Sequence, residues 1–329
     1  MAETFRVQDS IELAVVERSG FIESRHAGSA IVLSPAGDVV RSIGDVTSPI
    51  FPRSALKPFQ AIAVMSSGVT LRGADAAIAT ASHSGTAMHV DLVRGLLARA
   101  GVPESALGCP EALPQDTAAR DAVVRAGGAK SRLYMNCSGK HAAMLAACAA
   151  NGWPLDGYLG MEHPLQKRIL DIVERFTGER PAATGIDGCG APVHAISLTA
   201  LARGIHRVTT STPSSPFAIY REAGVLTEAV REHPLVVAGP GLGDSITAER
   251  LGVFSKYGAE GSIVMTAPDG TTVAAKVLDG NVRVVHAIAL QLLVQAGALD
   301  AATVAPVIEE LDLWVIGGSA RVGTIHATV

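Results

Sequence analysis

Strand signals in this chain collect at its two ends, and helix signals fill the middle. Ile11 to Arg18 and Ser29 to Leu33 are apolar and β-branched. The second run passes through Ser34-Pro35-Ala36-Gly37-Asp38 into Val39-Val40, the pattern of a hairpin. Near the other end, Ser262 to Thr266 and Thr271 to Leu278 flank Ala267-Pro268-Asp269-Gly270, a second hairpin signal. Ala320 to Val329 also reads as a strand. Between them, apolar spacing predicts helices over 54–67, 87–100, 117–126, 139–151, 163–177 and 217–232, with a late one over 283–298. The pattern predicts one α+β unit spanning 1–329. Its antiparallel sheet is built from both chain ends, with a helical region covering or flanking it.

The composition can support such a core. Apolar residues make up 48% and charged residues 18%. Aromatics are only 4%, so Ala, Val, Leu and Ile must fill the interior. Net charge is −4 and no basic run exists, which argues against a nucleic-acid partner. Val284 to Leu299, the most apolar stretch, is interrupted by His286, Gln291 and Gln295 and reads as a buried helix, not a membrane span. The start, Met1 to Arg6, is polar and carries no apolar signal core. Four cysteines in a chain this long do not make a disulfide framework, so a cytoplasmic setting with reduced thiols is the expectation.

The chemistry concentrates around lysines, of which there are only six. In Arg53-Ser54-Ala55-Leu56-Lys57-Pro58, a serine and a lysine three apart share a helix face. A serine hydroxyl needs a base at neutral pH, and a lysine serves if desolvation or a neighbouring cation lowers its pKa. The same Ser-x-x-Lys spacing carries the nucleophile of penicillin-binding proteins and class A β-lactamases. It also fits a plain helix cap at Ser54 with a solvated lysine one turn on, because Pro58 places the helix start near Ser54.

Other segments read two ways. Ala79 to Gly85 is either a turn with capping serines or a loop presenting Ser82 and His83 to a pocket. Tyr134 to His141 opens a helix, whose free amides form an anion or oxyanion site. Cys137 there and Cys189 in Thr184-Gly185-Ile186-Asp187-Gly188-Cys189-Gly190 are metal ligands or small buried thiols. Asp187 either shapes its turn or meets a substrate ammonium group. Lys276, on a strand of apolar neighbours, is an inward functional amine or an edge charge. Val277-Leu278 follows it, so the Lys-Thr-Gly motif of β-lactamases is absent there.

Together these segments resemble the Rhizobium etli-type L-asparaginases, the asparaginase II domain family. The matching pieces are Arg18 to His26, Gly44-Asp45, Arg53 to Pro58, Ala81 to Ser84, Asn136 to His141, Glu162 to Gln166, Asp187 to Cys189, and Lys276 with Asp279-Gly280. The resemblance implies a serine β-lactamase/glutaminase-like fold, a homodimer, and hydrolysis of L-asparagine by two Ser-Lys pairs. These map onto Ser54 with Lys57 and Ser82 with Lys276, and Ser54, at a helix start, is the favoured nucleophile. It implies a zinc site at Cys137, Lys140 and Cys189, and no organic cofactor. Arg53, His83 and Asp187 are the expected substrate contacts, with Arg53 on the carboxylate and Asp187 on the ammonium. One departure stands out. Family members often carry Gly-x-Gly-Arg where this chain has Gly239-Pro240-Gly241-Leu242, which bears on substrate preference. Two other readings fit the same residues: another Ser-Lys amidohydrolase acting on β-lactams or peptides, and a non-catalytic amino-acid binder.

Overall fold

The computed structural model describes residues 3–329, leaving Met1 and Ala2 of the polar amino-terminal run outside. Its main sheet is antiparallel and draws on both chain ends, as expected. The first three strands are β1 (Ile11–Arg18), β2 (Phe21–Leu33) and β3 (Val39–Ile43). A short β4 (Pro49–Ile50) precedes the helical region, and β5 (Ala183–Ile186) and β6 (Pro192–Ser197) lie within it. After it come β7 (Phe254–Gly258), β8 (Ser262–Thr266), β9 (Thr272–Val277), β10 (Trp314–Gly317) and β11 (Ala320–Ala327). The large sheet runs β10-β11-β1-β2-β9-β8-β7, with β3 paired on β2. The chain ends are knitted at Ala14 opposite Ala327 and at Ser29 opposite Lys276.

Both faces of this sheet are covered. Alternate residues divide cleanly between them: Ile31, Val264 and Ala274 join one core, while Val32, Ile263, Val273 and Ala275 join the other. Strands buried on two sides read as continuous apolar runs, which is why β2, β8 and β9 were visible in the sequence. The outer face packs on α10 (Gly243–Leu251), α11 (Val285–Gln295) and α12 (Ala301–Glu310). The inner face packs on the helical region. That region comprises α1 (Lys57–Met65), α2 (Ala74–Thr80), α3 (Ala87–Arg99), α4 (Thr117–Arg125), α5 (Ser138–Asn151), α6 (Pro164–Thr177), α7 (Leu198–Thr209), α8 (Ala218–Glu232) and α9 (Pro234–Val237). Helix α1 is buried along its whole length, touching α5, α6 and α8. Helix α5 crosses α2 so closely that a Cβ on Gly139 would overlap the Ile78 carbonyl, so no larger residue fits there.

The structure adds elements that the pattern reading did not give: α2, α7, α9, α10, α12, the strands β7 and β10, and a small sheet ordered β4-β6-β5. The small sheet matters for the site. It pairs Pro49 with Ser197 and Ile186 with Pro192. The segment entering Arg53-Ser54 and the Asp187 turn are thereby tied to one strand. Among the described residues, no helix is long and apolar enough to cross a membrane.

Candidate active site

Ser54 does not cap an α-helix. It lies in a 3-10 turn, Arg53–Leu56, and α1 begins only at Lys57, with Leu56 as its N-cap and no side-chain cap bond. The capping reading therefore fails. The turn is reached through an unusual backbone. Arg53 has φ +55°, a left-handed conformation that costs a non-glycine residue about 1–2 kcal/mol. Ser262 Oγ donates to the Pro52 carbonyl at 2.8 Å and holds the turn against the sheet. Gly258 of β7 lets the two meet. A Cβ there would overlap Pro52 O and Ser262 Oγ and come within 3.2 Å of Ser54 N. Gly258→Ala is thus expected to push the Ser54 turn off the sheet. It should cost about 1–3 kcal/mol of stability and lower kcat more than KM. A denaturation curve and steady-state kinetics check it; unchanged values in both would show that the turn is not held by this contact.

Lys57 is 1% exposed. Its amine donates to the Ala81 carbonyl at 2.5 Å and to Ser82 Oγ at 2.8 Å. Burial lowers its pKa to about 8, with repulsion from Lys256 and Lys140 pushing the same way and Cys137 opposing. Ser82 is buried as well. Its N–H donates to Val237 O at 2.8 Å, and Ser84 N–H donates to Ala238 O at 2.7 Å, so the loop is clamped by the chain leading into α10. Ser82 lies in a loop that follows α2 and is turned to Lys57.

Two expectations need correction. Lys276 does not meet Ser82. It sits on β9, two strands in from the β7 edge, and its amine donates to the Glu260 carbonyl and to Val277 O at 2.6 Å. The serine it was expected to serve is held by Lys57. His83 is not a pocket residue. It is wholly buried, with Nε2 2.9 Å from Ser138 Oγ and its ring stacked on His89. Burial drives its pKa well below the ordinary value, so it is a neutral packing group. Arg53 and Asp187, the expected substrate contacts, lie together, with Arg53 Nε donating to Asp187 Oδ1 at 2.7 Å. Burial opposes ionisation of Asp187, but Lys140 and Arg53 together hold its pKa below the usual value.

Lys256 is the functional candidate that the sequence reading missed. It is fully buried, on β7, and its charge is felt by Lys57. Because β7 is an edge strand, the side chain is free to reach α10, where the amine donates to Asp244 Oδ2 at 2.8 Å. Asp244 also accepts from Ser255 Oγ at 2.8 Å and from Tyr257 N–H at 3.1 Å, and lies 3.0 Å from His286 Nε2. Burial disfavours the carboxylate, but Lys256 and His286 outweigh it and keep the pKa well below normal. The segment Lys256-Tyr257-Gly258 keeps the lysine and glycine of a Lys-Thr-Gly strand motif. That was the available signal.

Cys137, Lys140 and Cys189 do come together. Lys140 Nζ lies 3.1 Å from Cys189 Sγ, and all three side chains are buried. Hydrogen bonding from Cys189 and the charges of Lys57 and Lys140 hold the Cys137 thiol well below its ordinary pKa, against the effect of burial. Lys140, though buried, is held above its ordinary value by the two sulfurs. Among the described residues, no three His, Cys, Asp or Glu side chains form a metal cluster. A metal here therefore needs the Lys140 amine as third donor. Two sulfurs and an amine would supply three of the four positions of tetrahedral zinc once the metal displaced the protons that Lys140 and Cys189 hold in its absence.

The family model for L-asparaginase II matches residues 14–327. The chain belongs to the L-asparaginase II family. Membership places this asparaginase-family protein among the amidohydrolases. Solved structures similar to it include a β-lactamase from Mycobacterium bovis, at 17% identity and TM-score 0.45, covering 83% of this chain and 95% of that one. A probable glutaminase from Bacillus subtilis complexed with 6-diazo-5-oxo-L-norleucine aligns at 13% and TM-score 0.45, over 83% and 85% of the two chains. A DD-transpeptidase of Streptomyces K15 aligns at 9% and TM-score 0.41, over 82% and 97%. No curated protein matches the chain. Within this family member, Leu242 is the N-cap residue of α10 and is 36% exposed, two residues before buried Asp244. An apolar side chain there offers no charge to a substrate.

Proposed function

We propose that the protein hydrolyses the side-chain amide of L-asparagine to L-aspartate and ammonia. The observation that carries the reading is the buried Lys57 amine on Ser82 Oγ at 2.8 Å, inside the Ser-x-x-Lys turn that holds Ser54. Ser54 is the nucleophile because it is the half-exposed serine of the two; Ser82 is buried and relays protons to Lys57. Ser54 Oγ attacks the amide carbon, and its proton passes to neutral Lys57. The C–N bond then breaks, and that proton goes to the departing ammonia. Water repeats the sequence on the aspartyl ester and restores Ser54. The Ser54 N–H heads a helical turn, where amides lack an intrahelical partner, and it faces Gly258; it is the proposed oxyanion donor. Asp187 and Arg53 receive the ammonium and carboxylate of the amino acid, opening their mutual ion pair to do so.

Cys137, Cys189 and Lys140 would hold zinc, which when bound fixes the Asp187 turn to α5; assembly as a homodimer belongs to the same reading. Metal analysis of the purified protein beside Cys137→Ser tests the first, and sedimentation velocity the second. The central test is ammonia release from L-asparagine, with L-glutamine in parallel, followed by acid quench and peptide mapping. The aspartyl adduct is expected on the peptide carrying Ser54. An adduct at Ser82 would reverse the assignment, and binding without ammonia release would favour the amino-acid sensor.

A further inference from the structure

A cavity of about 290 Å³ opens beside the Ser54 turn. Its wall is apolar, formed by Phe51, Ile186 and Val193, and its floor carries Arg53, Lys276 and Glu260. Ile186 is 84% exposed and Phe51 39% exposed. Large side chains this bare, facing one another over a cleft, invite an apolar occupant. The cleft is also shaped. A Cβ on Gly185 would press to 3.2 Å from the Phe51 ring, so the glycine lets that ring approach β5. Two cationic donors are not fully spent. Arg53 gives Nε and Nη2 to Asp187 and holds Nη1 3.9 Å from Glu260, while Lys276 gives two hydrogens to carbonyls. The one carboxylate on the cavity, Glu260, is 67% exposed and turned to solvent.

Free asparagine does not need this space. In the proposed reaction its head group is held by Asp187 and Arg53; Arg53 lines the cavity and Asp187 follows Ile186 of the cavity wall, so an extension from the carboxyl group passes Arg53 into the apolar cleft. We propose that the cavity is a subsite for the residue following asparagine in a short peptide, an apolar residue, with the asparaginyl carbonyl meeting Arg53 and the terminal carboxylate meeting Lys276. The substrate class is then the asparaginyl dipeptide with an apolar second residue. The reaction is the same hydrolysis: water supplies oxygen to the side-chain carbonyl, ammonia leaves, and the peptide bond stays intact. The inference rests on the amidohydrolase reading of Ser54 and Lys57 and adds the substrate's second residue.

Asparaginyl-leucine, asparaginyl-aspartate and L-asparagine are the probes, with ammonia measured and the product identified by mass as aspartyl-leucine. Asparaginyl-leucine is expected to show kcat/KM at least about tenfold above asparaginyl-aspartate, the usual scale of an apolar pocket's discrimination. Ile186→Asp should abolish that preference, read as the ratio of kcat/KM on the two dipeptides. Turnover of L-asparagine with none of asparaginyl-leucine, or equal rates on the two dipeptides, would overturn the subsite. No ammonia from any of the three would instead overturn the amidohydrolase reading beneath it.

Discussion

Replacing Lys57 by methionine is expected to lower kcat on L-asparagine by about a thousandfold or more. The argument starts from burial. Lys57 is enclosed, its pKa is lowered to about 8, and its amine already touches a serine hydroxyl. A lysine so placed is partly neutral near pH 7–8 and is the base in contact with Ser82. Methionine keeps the volume and removes the amine, so the fold should survive. The methionine also removes the desolvation cost of a buried amine that has no carboxylate partner among the described residues. An unaltered melting curve together with lost turnover is the expected pair of results. Ser54→Ala should fall with Lys57→Met, and the double variant should be no slower than either alone, because groups that act as one unit are not additive. Near-normal turnover by Lys57→Met would sink the Ser-Lys mechanism outright and leave the fold serving another purpose.

Legibility in the sequence followed the physics of each element. Helices with a strong one-sided pattern appeared where expected: 87–100 became Ala87–Arg99, and 163–177 became Pro164–Thr177. The strands buried on both faces were equally plain. What stayed hidden was β7. Phe254-Ser255-Lys256-Tyr257-Gly258 has two apolar residues flanking polar ones and a glycine at its end, and no β-branched residue at all. Its strand character comes from pairing with β8, and its polar residues are satisfied by Asp244, a residue from another element. Tertiary partners that distant leave no local trace. Missing β7 also hid a lysine. The family resemblance placed Lys276 in the second pair, and Lys256, on the unread strand, was not weighed against it. The converse case is Ser82, Cys137, Lys140 and Cys189. Spacing alone left them ambiguous, and the family resemblance singled them out. The fold then brought Ser82 to Lys57 and Lys140 to Cys189.

Asp244→Asn should be the most destabilising change near the site, at about 3–5 kcal/mol, because it leaves Lys256 buried without its counter-charge. Asp244 is fully enclosed and its two oxygens serve four partners. An asparagine amide offers one oxygen in place of two and turns an NH₂ toward a lysine or a serine. The double change Asp244→Leu with Lys256→Met removes both charges and should recover much of the loss, since hydrophobic replacement of a buried pair is often neutral. Denaturation midpoints of the three proteins decide it; equal destabilisation by the single and double variants would mean that packing, not charge, is what Asp244 contributes. The pH dependence has a definite sign. The folded-state pKa of Asp244 is depressed below its ordinary value near ~4, so its contribution is fully present above that value and is lost as pH falls through the folded pKa. Stability that declines below about pH 4 in the wild type, and declines less in the double variant, is the expected pattern. Activity separates the two roles of this pair. The double variant should fold yet turn over asparagine slowly, because the Lys256 charge helps hold Lys57 near pH 8 and its loss lets the Lys57 amine stay protonated.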